Sequence, residues 1–266
     1  MHRRSIVHEA LRLREEEGLG ARRVARRLGL PLGTVRDWHA GKLPRHCRTT
    51  GRDGRPIPPA CPRCGQDEHR FTELSGSYVH LLGLYLGDGS ISSHPRGVHK
   101  LRIFLDRKYP NIVDECARSM GETMPSNEVG RRLTVSNCWE VYSYSRSWPC
   151  LFPQHGPGKK HERRIWLAEW QQELAERWPE ALLRGMIQSD GCRYMNTRGP
   201  SDSWTAPRYE FKNLSTDLTG IFCTACDHLR LRWTAAFPGS ETAGVSIYVS
   251  RKDDVARMDR FIGPKR

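Results

Sequence analysis

Two aspartates stand at matching places in two similar segments of the chain. Asp88 lies near the end of residues 82–89 (LGLYLGDG), and Asp190 lies near the end of residues 183–191 (LRGMIQSDG). Each follows an apolar run with helical periodicity and precedes a glycine, the residue that most often ends a helix. Each segment also has two small residues four positions apart, which lets two helices approach closely. The pattern predicts paired helices that bring one carboxylate each to a shared place.

Such a carboxylate pair is unfavourable for stability. Each acid lies at the negative end of its helix dipole. Two charges a few ångströms apart also repel by about 4 kcal/mol at an effective dielectric of 20. A hard divalent cation reverses the balance, because Mg²⁺ binds one or two carboxylates together with water and phosphate oxygens. Asp88 and Asp190 are therefore candidate ligands of a catalytic Mg²⁺, and the alternative is two ordinary Asp-Gly helix ends.

The repeated pattern Leu-x-Gly-x-x-x-x-Asp-Gly resembles the LAGLIDADG homing endonucleases in their single-chain form with two motifs. The resemblance implies an α+β fold in which two pseudo-symmetric αββαββα repeats form a DNA-binding saddle. It also implies double-stranded DNA as the partner and Mg²⁺ as the cofactor. By resemblance, the metal site comprises the two acids and the backbone carbonyls before them, that is, Asp88, Asp190, Gly87 and Ser189. Leu86 and Gln188 replace the earlier acid of the motif.

An internal repeat supports two halves. Residues 142–146 and 247–251 both read as alternating strands that end in Ser-Arg. By resemblance, the basic residues at these strand ends point toward the acids, where they would polarise the phosphate or only clamp it; they are Arg146, Arg251 and Lys252. A basic turn over residues 154–161 is expected to be a solvated connector, and residues 162–177 are predicted to form the last helix of the first half.

Further basic residues decorate the predicted strands and their loops. They are ordinary solvated charges unless the sheets face DNA, in which case alternate side chains would meet phosphates and base edges. These candidate DNA-binding residues are Lys100, Arg102, Arg131, Arg132, Arg208 and Lys212.

The first 45 residues have the layout of a helix-turn-helix. Gly29 is expected to make the turn, while Ala25, Val35 and Trp38 face inward. The residues expected near DNA in this segment are Arg22, Thr34 and Arg36. The alternative is a helical cap with a purely structural role.

Residues 46–74 are polar and rich in Gly and Pro, as expected of a linker. The sequence Cys61-Pro-Arg-Cys64 within it has the spacing of a zinc knuckle. Cys47 and His69 are the nearby candidates that would complete a structural Zn²⁺ site, and the alternative is free thiols in a loop. A second Cys-x-x-Cys, at residues 223–226, falls on a predicted helix and is expected to pack in the core.

The composition agrees with a nucleic-acid partner. The formal net charge is +13 over 266 residues, and basic surfaces of this kind bind polyphosphates or anionic membranes. No apolar run approaches 18 residues and no secretory signal follows Met1, so we expect a cytoplasmic monomer with reduced cysteines and no membrane partner. The expected domains are 1–45, 46–74, 75–165 and 166–266.

The favoured hypothesis is a metal-dependent endonuclease that cleaves double-stranded DNA at a long, asymmetric site. The alternative is a transcription regulator with the same fold that has lost cleavage and keeps its sheets as a binding surface. A third hypothesis is an RNA-binding maturase. Because both Asp88 and Asp190 are present, the sequence favours the nuclease.

Overall fold

The computed structural model describes residues 4–44, 47, 61, 64, 69, 73–198, 204–237, 244–263 and 265. The backbone divides into two compact units, Met1–His69 and Arg70–Arg266. The helices of the first unit are α1 (Arg4–Glu15), α2 (Ala21–Leu28) and α3 (Leu32–His39). None of the helices in the described residues is both long and apolar enough to cross a bilayer.

The first unit has its own small core. Ala25, Val35 and Trp38 are buried against α1, as the sequence predicts. Gly29 adopts the left-handed conformation with φ of 63° and ends α2, a geometry in which glycine is least strained. The predicted helices and turn are therefore present in this unit.

The second unit repeats one order of elements twice. The first repeat consists of α4 (Gly76–Asp88), β1 (Gly89–His94), β2 (Val98–Asp106), α5 (Pro110–Thr123), β3 (Val129–Leu133), β4 (Cys138–Ser145), the short helix α6 (Trp148–Leu151) and α7 (Glu169–Arg177). The second consists of α8 (Pro179–Asp190), β5 (Gly191–Arg198), β6 (Trp204–Asn213), α9 (Thr216–His228), β7 (Thr234–Ala236), β8 (Val245–Val249) and α10 (Lys252–Phe261).

The two antiparallel sheets have the same topology, with strand orders β1-β2-β4-β3 and β5-β6-β8-β7. Gly89 pairs with Ile103 in the first sheet and Gly191 pairs with Phe211 in the second. These pairs fix the equivalence between the halves, because each glycine directly follows its motif aspartate. The predicted α+β fold with two αββαββα repeats is confirmed.

One face of each sheet carries the core. In β2, Leu101, Ile103 and Leu105 are buried, while the side chains between them point to the other face. In the second sheet, Phe211 stacks on Phe222 of α9 with ring centroids 4.6 Å apart. The helices therefore cover the inner faces of the sheets and leave the outer faces open.

Two predicted boundaries are wrong. The helix expected over residues 162–177 begins only at Glu169. Ile165 and Leu167 are buried while Trp166 between them is exposed, so this stretch follows the two-residue alternation of an extended chain. The strand expected to reach residue 251 ends at Val249, because Lys252 already begins α10.

Candidate active site at the helix seam

Helices α4 and α8 pack against each other through their small residues. A Cβ atom added to Gly83 would lie 2.6 Å from the carbonyl oxygen of Leu182 and 2.9 Å from the Cα of Gly185. One turn later, a Cβ on Gly87 would lie 2.3 Å from Ser189 Oγ. Side chains larger than hydrogen at Gly83 and Gly87 would force the helices apart. We call this contact the helix seam.

The seam ends at the two motif aspartates. Asp88 reaches solvent, and Asp190 is half-buried. Asp190 Oδ2 lies 3.1 Å from the position that a Cβ on Gly87 would occupy, so this carboxylate rests against the end of the other helix. Because β1 and β5 begin at the very next residues, Gly89 and Gly191, the acids stand where the two sheets start.

The electrostatics of this place disfavour two negative charges. Partial burial and the nearby charge of Asp190 raise the pKa of Asp88 to about 6. Partial burial also raises the pKa of Asp190. A divalent cation would offset the repulsion between these two carboxylates, and their access to solvent would let it reach them. The residues present therefore fit the implied metal.

Two lysines approach the acids, and both were missed in the sequence. Lys160 Nζ donates hydrogen bonds to the backbone carbonyls of Tyr85 and Gly87, the latter at 2.6 Å. Lys265 Nζ donates to the carbonyl of Gly191. Their positive charges lower the pKa of both aspartates. The two cations thus flank the acid pair.

Burial acts on the lysines in the opposite direction. It lowers the pKa of Lys160 to about 8 and also lowers the pKa of Lys265. The sequence does contain a signal for these two lysines, since each occurs at a similar distance after its motif aspartate. Lys160 follows Asp88 by 72 residues, and Lys265 follows Asp190 by 75. The basic turn that was expected to be only a solvated connector therefore supplies one of them.

The two acids have unequal surroundings. Asn213 Nδ2 donates a hydrogen bond to Asp190 Oδ2 at 2.7 Å, which lowers the pKa of Asp190. The sheet register places Leu105 at the equivalent position in the first repeat, where it is buried in the core. Leu105 cannot donate a hydrogen bond to Asp88 as Asn213 does to Asp190, so the two acids are not equivalent.

The basic residues that were expected beside the acids lie elsewhere on the surface. Arg146, Arg251 and Lys252 are exposed, and Arg146 follows the end of β4 that pairs with His99, four residues along β2 from the partner of Gly89. Arg251 stands just before α10 and Lys252 is its first residue. Of the two backbone carbonyls implied by the resemblance, that of Gly87 accepts a hydrogen bond from Lys160. The hydroxyl of Ser189 donates a hydrogen bond to the carbonyl of Gly185 at 3.0 Å.

A cation–tyrosine pair recurs on the outer faces of the sheets. Lys100 Nζ lies 4.0 Å from the ring centre of Tyr142, and the guanidinium carbon of Arg208 lies 4.7 Å from that of Tyr248. By the sheet register, Lys100 is equivalent to Arg208 and Tyr142 to Tyr248. The repeats therefore present one cation at the same place on each sheet, held by contact with an aromatic ring.

An acid distinguishes the two outer faces. Glu140, which is fully buried, accepts from Lys100 Nζ at 2.7 Å and from Arg132 Nε at 3.0 Å. These cations hold the pKa of Glu140 below its usual range, although burial opposes them. Ser246 occupies the equivalent position on the second sheet. Lys100 is thus already neutralised, whereas Arg208 has no salt bridge among the described residues.

The other predicted DNA-binding residues of the sheets divide between the two faces. Lys212 is exposed on β6 and Arg102 lies on the outer face of β2. The Nε atoms of Arg102 and Arg208 are buried and lack a hydrogen-bond partner among the residues that the structure describes. Arg131 does not fit the prediction: it pairs with buried Val141 in register and donates to Asp114 of α5, so it points to the helical side.

A buried polar network crosses the helix seam. His80 of α4 is 2.6 Å from Gln188 Oε1 through Nε2 and 2.8 Å from Ser119 Oγ through Nδ1. Gln188 Nε2 then donates to Glu115 at 2.7 Å, and Arg184 donates to the same carboxylate. Gln188 stands where the motif has its earlier acid, and its hydrogen bonds to His80 and Glu115 give this difference from the motif a structural role.

In the helical unit, the residues predicted to face DNA are accessible. Arg22 and Arg36 are exposed, and Thr34 is half-buried at the start of α3. Their neighbours in the same helices, such as Val24 and Val35, form the core. The basic side of α2 and α3 is therefore open to a partner.

The linker cysteines come together with a histidine. The metal-binding atoms of Cys61, Cys64 and His69 lie within 4.8 Å of one another, and Cys64 Sγ is 3.1 Å from His69 Nε2. Cys47 is not brought to this group: it is buried in the core of the three-helix unit. Cys226 is buried in α9, as predicted, and Cys223 is half-buried.

Comparison with known proteins gives structural neighbours only. No family profile and no curated protein matches the chain. The structure of mesophilic variants of the homing endonuclease I-DmoI has 14% sequence identity to this chain and a TM-score of 0.47, covering 71% of this chain and 96% of that one. This homing endonuclease is one of the solved structures to which the chain is similar.

Two further neighbours belong to LAGLIDADG proteins of different kinds. The homing endonuclease I-WcaI bound to its DNA recognition sequence has 14% identity and a TM-score of 0.45, covering 72% of this chain and 83% of that one. The N-terminal LAGLIDADG domain of DUF199/WhiA has 14% identity and a TM-score of 0.43, covering 75% and 88%.

Proposed function

We propose that this chain is a metal-dependent endonuclease that cleaves double-stranded DNA. The observation that supports this most directly is the acid pair at the end of the helix seam, flanked by Lys160 and Lys265. An arrangement that raises the pKa of its own carboxylates is costly for stability, and clusters of this kind are typical of functional sites.

Asp88 and Asp190 would hold the ion, and Mg²⁺ is the cation proposed for them. When bound, such an ion activates water and neutralises charge that develops on a phosphate. Lys160 and Lys265 would bind the non-bridging phosphate oxygens through Nζ. Because the pKa of Lys160 is about 8, its Nζ is mostly charged near neutral pH and can donate a proton more readily than an ordinary lysine.

The outer faces of the two sheets are the proposed DNA-binding surface. The buried Nε donors of Arg102 and Arg208 lack protein partners among the described residues. An acceptor on a nucleic acid would relieve the cost of leaving them unpaired. Exposed Lys212 adds positive charge on these faces, and Lys100 and Arg132 together carry one positive charge more than the single carboxylate of Glu140 balances.

The helical unit is proposed as a second DNA contact through Arg22, Thr34 and Arg36. This contact predicts that the Arg22→Ala/Arg36→Ala variant of the full chain binds duplex DNA with a shallower salt dependence. Each lost phosphate contact should reduce the slope of log K against log salt by about 0.9. An unchanged slope would assign the unit a structural role only.

The decisive experiment incubates the chain with a randomised duplex library and Mg²⁺, beside the Asp88→Asn/Asp190→Asn variant. Cleavage of both strands by the wild type, and binding without cleavage by the variant, is the expected result. Binding without cleavage by both would support the regulator instead. Binding of structured RNA in preference to duplex DNA would support a maturase.

A further inference from the structure

We propose that Cys61, Cys64 and His69 bind a structural zinc ion, separate from the acid pair. Their metal-binding atoms converge within 4.8 Å of one another. The ligand atoms of a tetrahedral zinc with bonds of 2.0–2.3 Å are about 3.3–3.8 Å apart. The three side chains are thus already close to the spacing that such an ion requires.

The chemistry of the group selects the metal. Two thiols and one imidazole are soft and borderline ligands that suit Zn²⁺, whereas Mg²⁺ binds oxygen. Cys64 is buried and Cys61 is half-buried, so both thiols are partly shielded from solvent oxidants. The contact of 3.1 Å between Cys64 Sγ and His69 Nε2 shows that the imidazole is turned toward the thiol.

The composition of the surrounding segment explains why a metal is needed. Between residues 46 and 73, Ile57 and Phe71 are the only large apolar side chains. A segment with so few cannot stabilise one conformation by burial alone. In such cases metal binding supplies folding free energy directly. This argument favours a structural ion with four protein ligands over an open catalytic site.

The second Cys-x-x-Cys of the chain provides a matched control. Cys223 and Cys226 have the same spacing, but they lie on α9. Burial raises the pKa of both thiols, which disfavours the thiolates that a metal requires. No group of three or more possible ligands is found around them in the described part of the chain.

The test measures zinc in the full chain after purification without added metal and dialysis. About one zinc per chain is expected by elemental analysis. Cys61→Ser/Cys64→Ser and His69→Ala should lose most of it, while Cys223→Ser/Cys226→Ala should keep it. Replacing the seven other cysteines one at a time would identify the fourth ligand. A zinc-free wild type, or full retention by Cys61→Ser/Cys64→Ser, overturns the proposal.

A measurement on the wild type covers the case in which the variants fail to fold. Cobalt substitution should give the intense near-ultraviolet charge-transfer band of thiolate ligands and the visible bands of a tetrahedral ion. Cysteine alkylation, detected by mass spectrometry, should then increase at Cys61 and Cys64 when a chelator is added. Alkylation of Cys223 should not change. An octahedral cobalt spectrum, or equal alkylation with and without chelator, would exclude the site. DNA cleavage is not part of this test, so its outcome is independent of the proposed nuclease.

Discussion

Gly83 and Gly185 face each other across the helix seam so closely that a Cβ on either one would lie 2.9 Å from the Cα of the other. A Cβ on Gly185 would also lie 2.3 Å from the carbonyl oxygen of His80. The atoms in the way are backbone, which cannot rotate aside as a side chain can. The positions of Asp88 and Asp190 therefore depend on two residues that have no side chain.

The seam predicts a large penalty for the smallest substitution. Gly83→Ala or Gly185→Ala should lower the free energy of unfolding by about 3 kcal/mol or more, because the helices must separate. Gly220→Ala is the control, since no atom outside its own helix lies within 4 Å of an added Cβ in α9. It should be neutral or stabilising by up to about 1 kcal/mol. Urea unfolding measures all three, and equal effects would contradict close packing at the seam.

We expect the loss of Lys160 to impair catalysis rather than DNA binding. Lys160→Met should reduce the cleavage rate by about 100-fold, as is typical when one electrostatic donor is removed from a reacting centre. Its affinity for DNA should change little. Lys159→Met is the control, because Lys159 is exposed and lies 3.5 Å from Glu162. Single-turnover cleavage and binding assays separate the two effects, and a loss confined to affinity would refute the role.

The recurrent cation–tyrosine pair predicts symmetric base preferences. Lysine and arginine most often contact guanine in the major groove. Lys100→Met and Arg208→Met should each weaken the base preference at one position of the DNA site. The two positions should lie at equal distances on either side of the cleavage centre. Arg208→Met should cost more affinity, about 10-fold, because Glu140 already neutralises Lys100. Sequencing of selected sites tests this, and shifts at unrelated distances would contradict equivalence of the sheets.

The network at His80 predicts a pH-dependent part of the stability. Burial and nearby Arg184 lower the pKa of His80, against the opposing effects of Gln188 and Glu115. The unfolded chain therefore binds the proton more readily. The contribution of the neutral imidazole to the free energy of unfolding is complete above about pH 6.5, the pKa of histidine in the unfolded chain. It is lost as the pH falls from there toward the lower pKa of His80 in the folded chain, by no more than about 1.4 kcal/mol per pH unit.

Other groups also make the free energy of unfolding depend on pH. The raised pKa of Asp88, for example, gives a contribution of the opposite sign. The effect of His80 is therefore measured by comparing variants. As the pH falls from 7 to 5, the free energy of unfolding should drop less, or rise more, in His80→Gln than in the wild type. His228→Gln, on the half-exposed surface of α9, should leave it unchanged. Parallel curves for wild type and His80→Gln would show that His80 does not contribute.

The sequence predicted the repeated fold and the helix seam because both depend on local patterns. Small residues four apart and alternating strands are visible within a few residues of chain. The lysines were missed for the opposite reason. Lys160 lies in a turn whose composition says only that it is exposed, and its contact with Gly87 exists only after a whole repeat has folded back.

The side to which Arg131 points was also beyond the sequence. One residue of strand register decides whether a side chain meets DNA or a helix, and the pattern in β3 is too polar to fix that register. Gln188 was visible as a departure from the motif, but its hydrogen bond to His80 on another helix could not be read from either segment.

That hydrogen bond makes the two halves complementary rather than interchangeable. If the first half paired with a copy of itself, His80 would meet Leu86, the residue equivalent to Gln188, and the imidazole would lose its acceptor in the interior. A copy of the second half would set Gln188 against Leu182 in the same way. The two halves are therefore a complementary pair within one polypeptide, and a symmetric dimer of either half would lack this hydrogen bond.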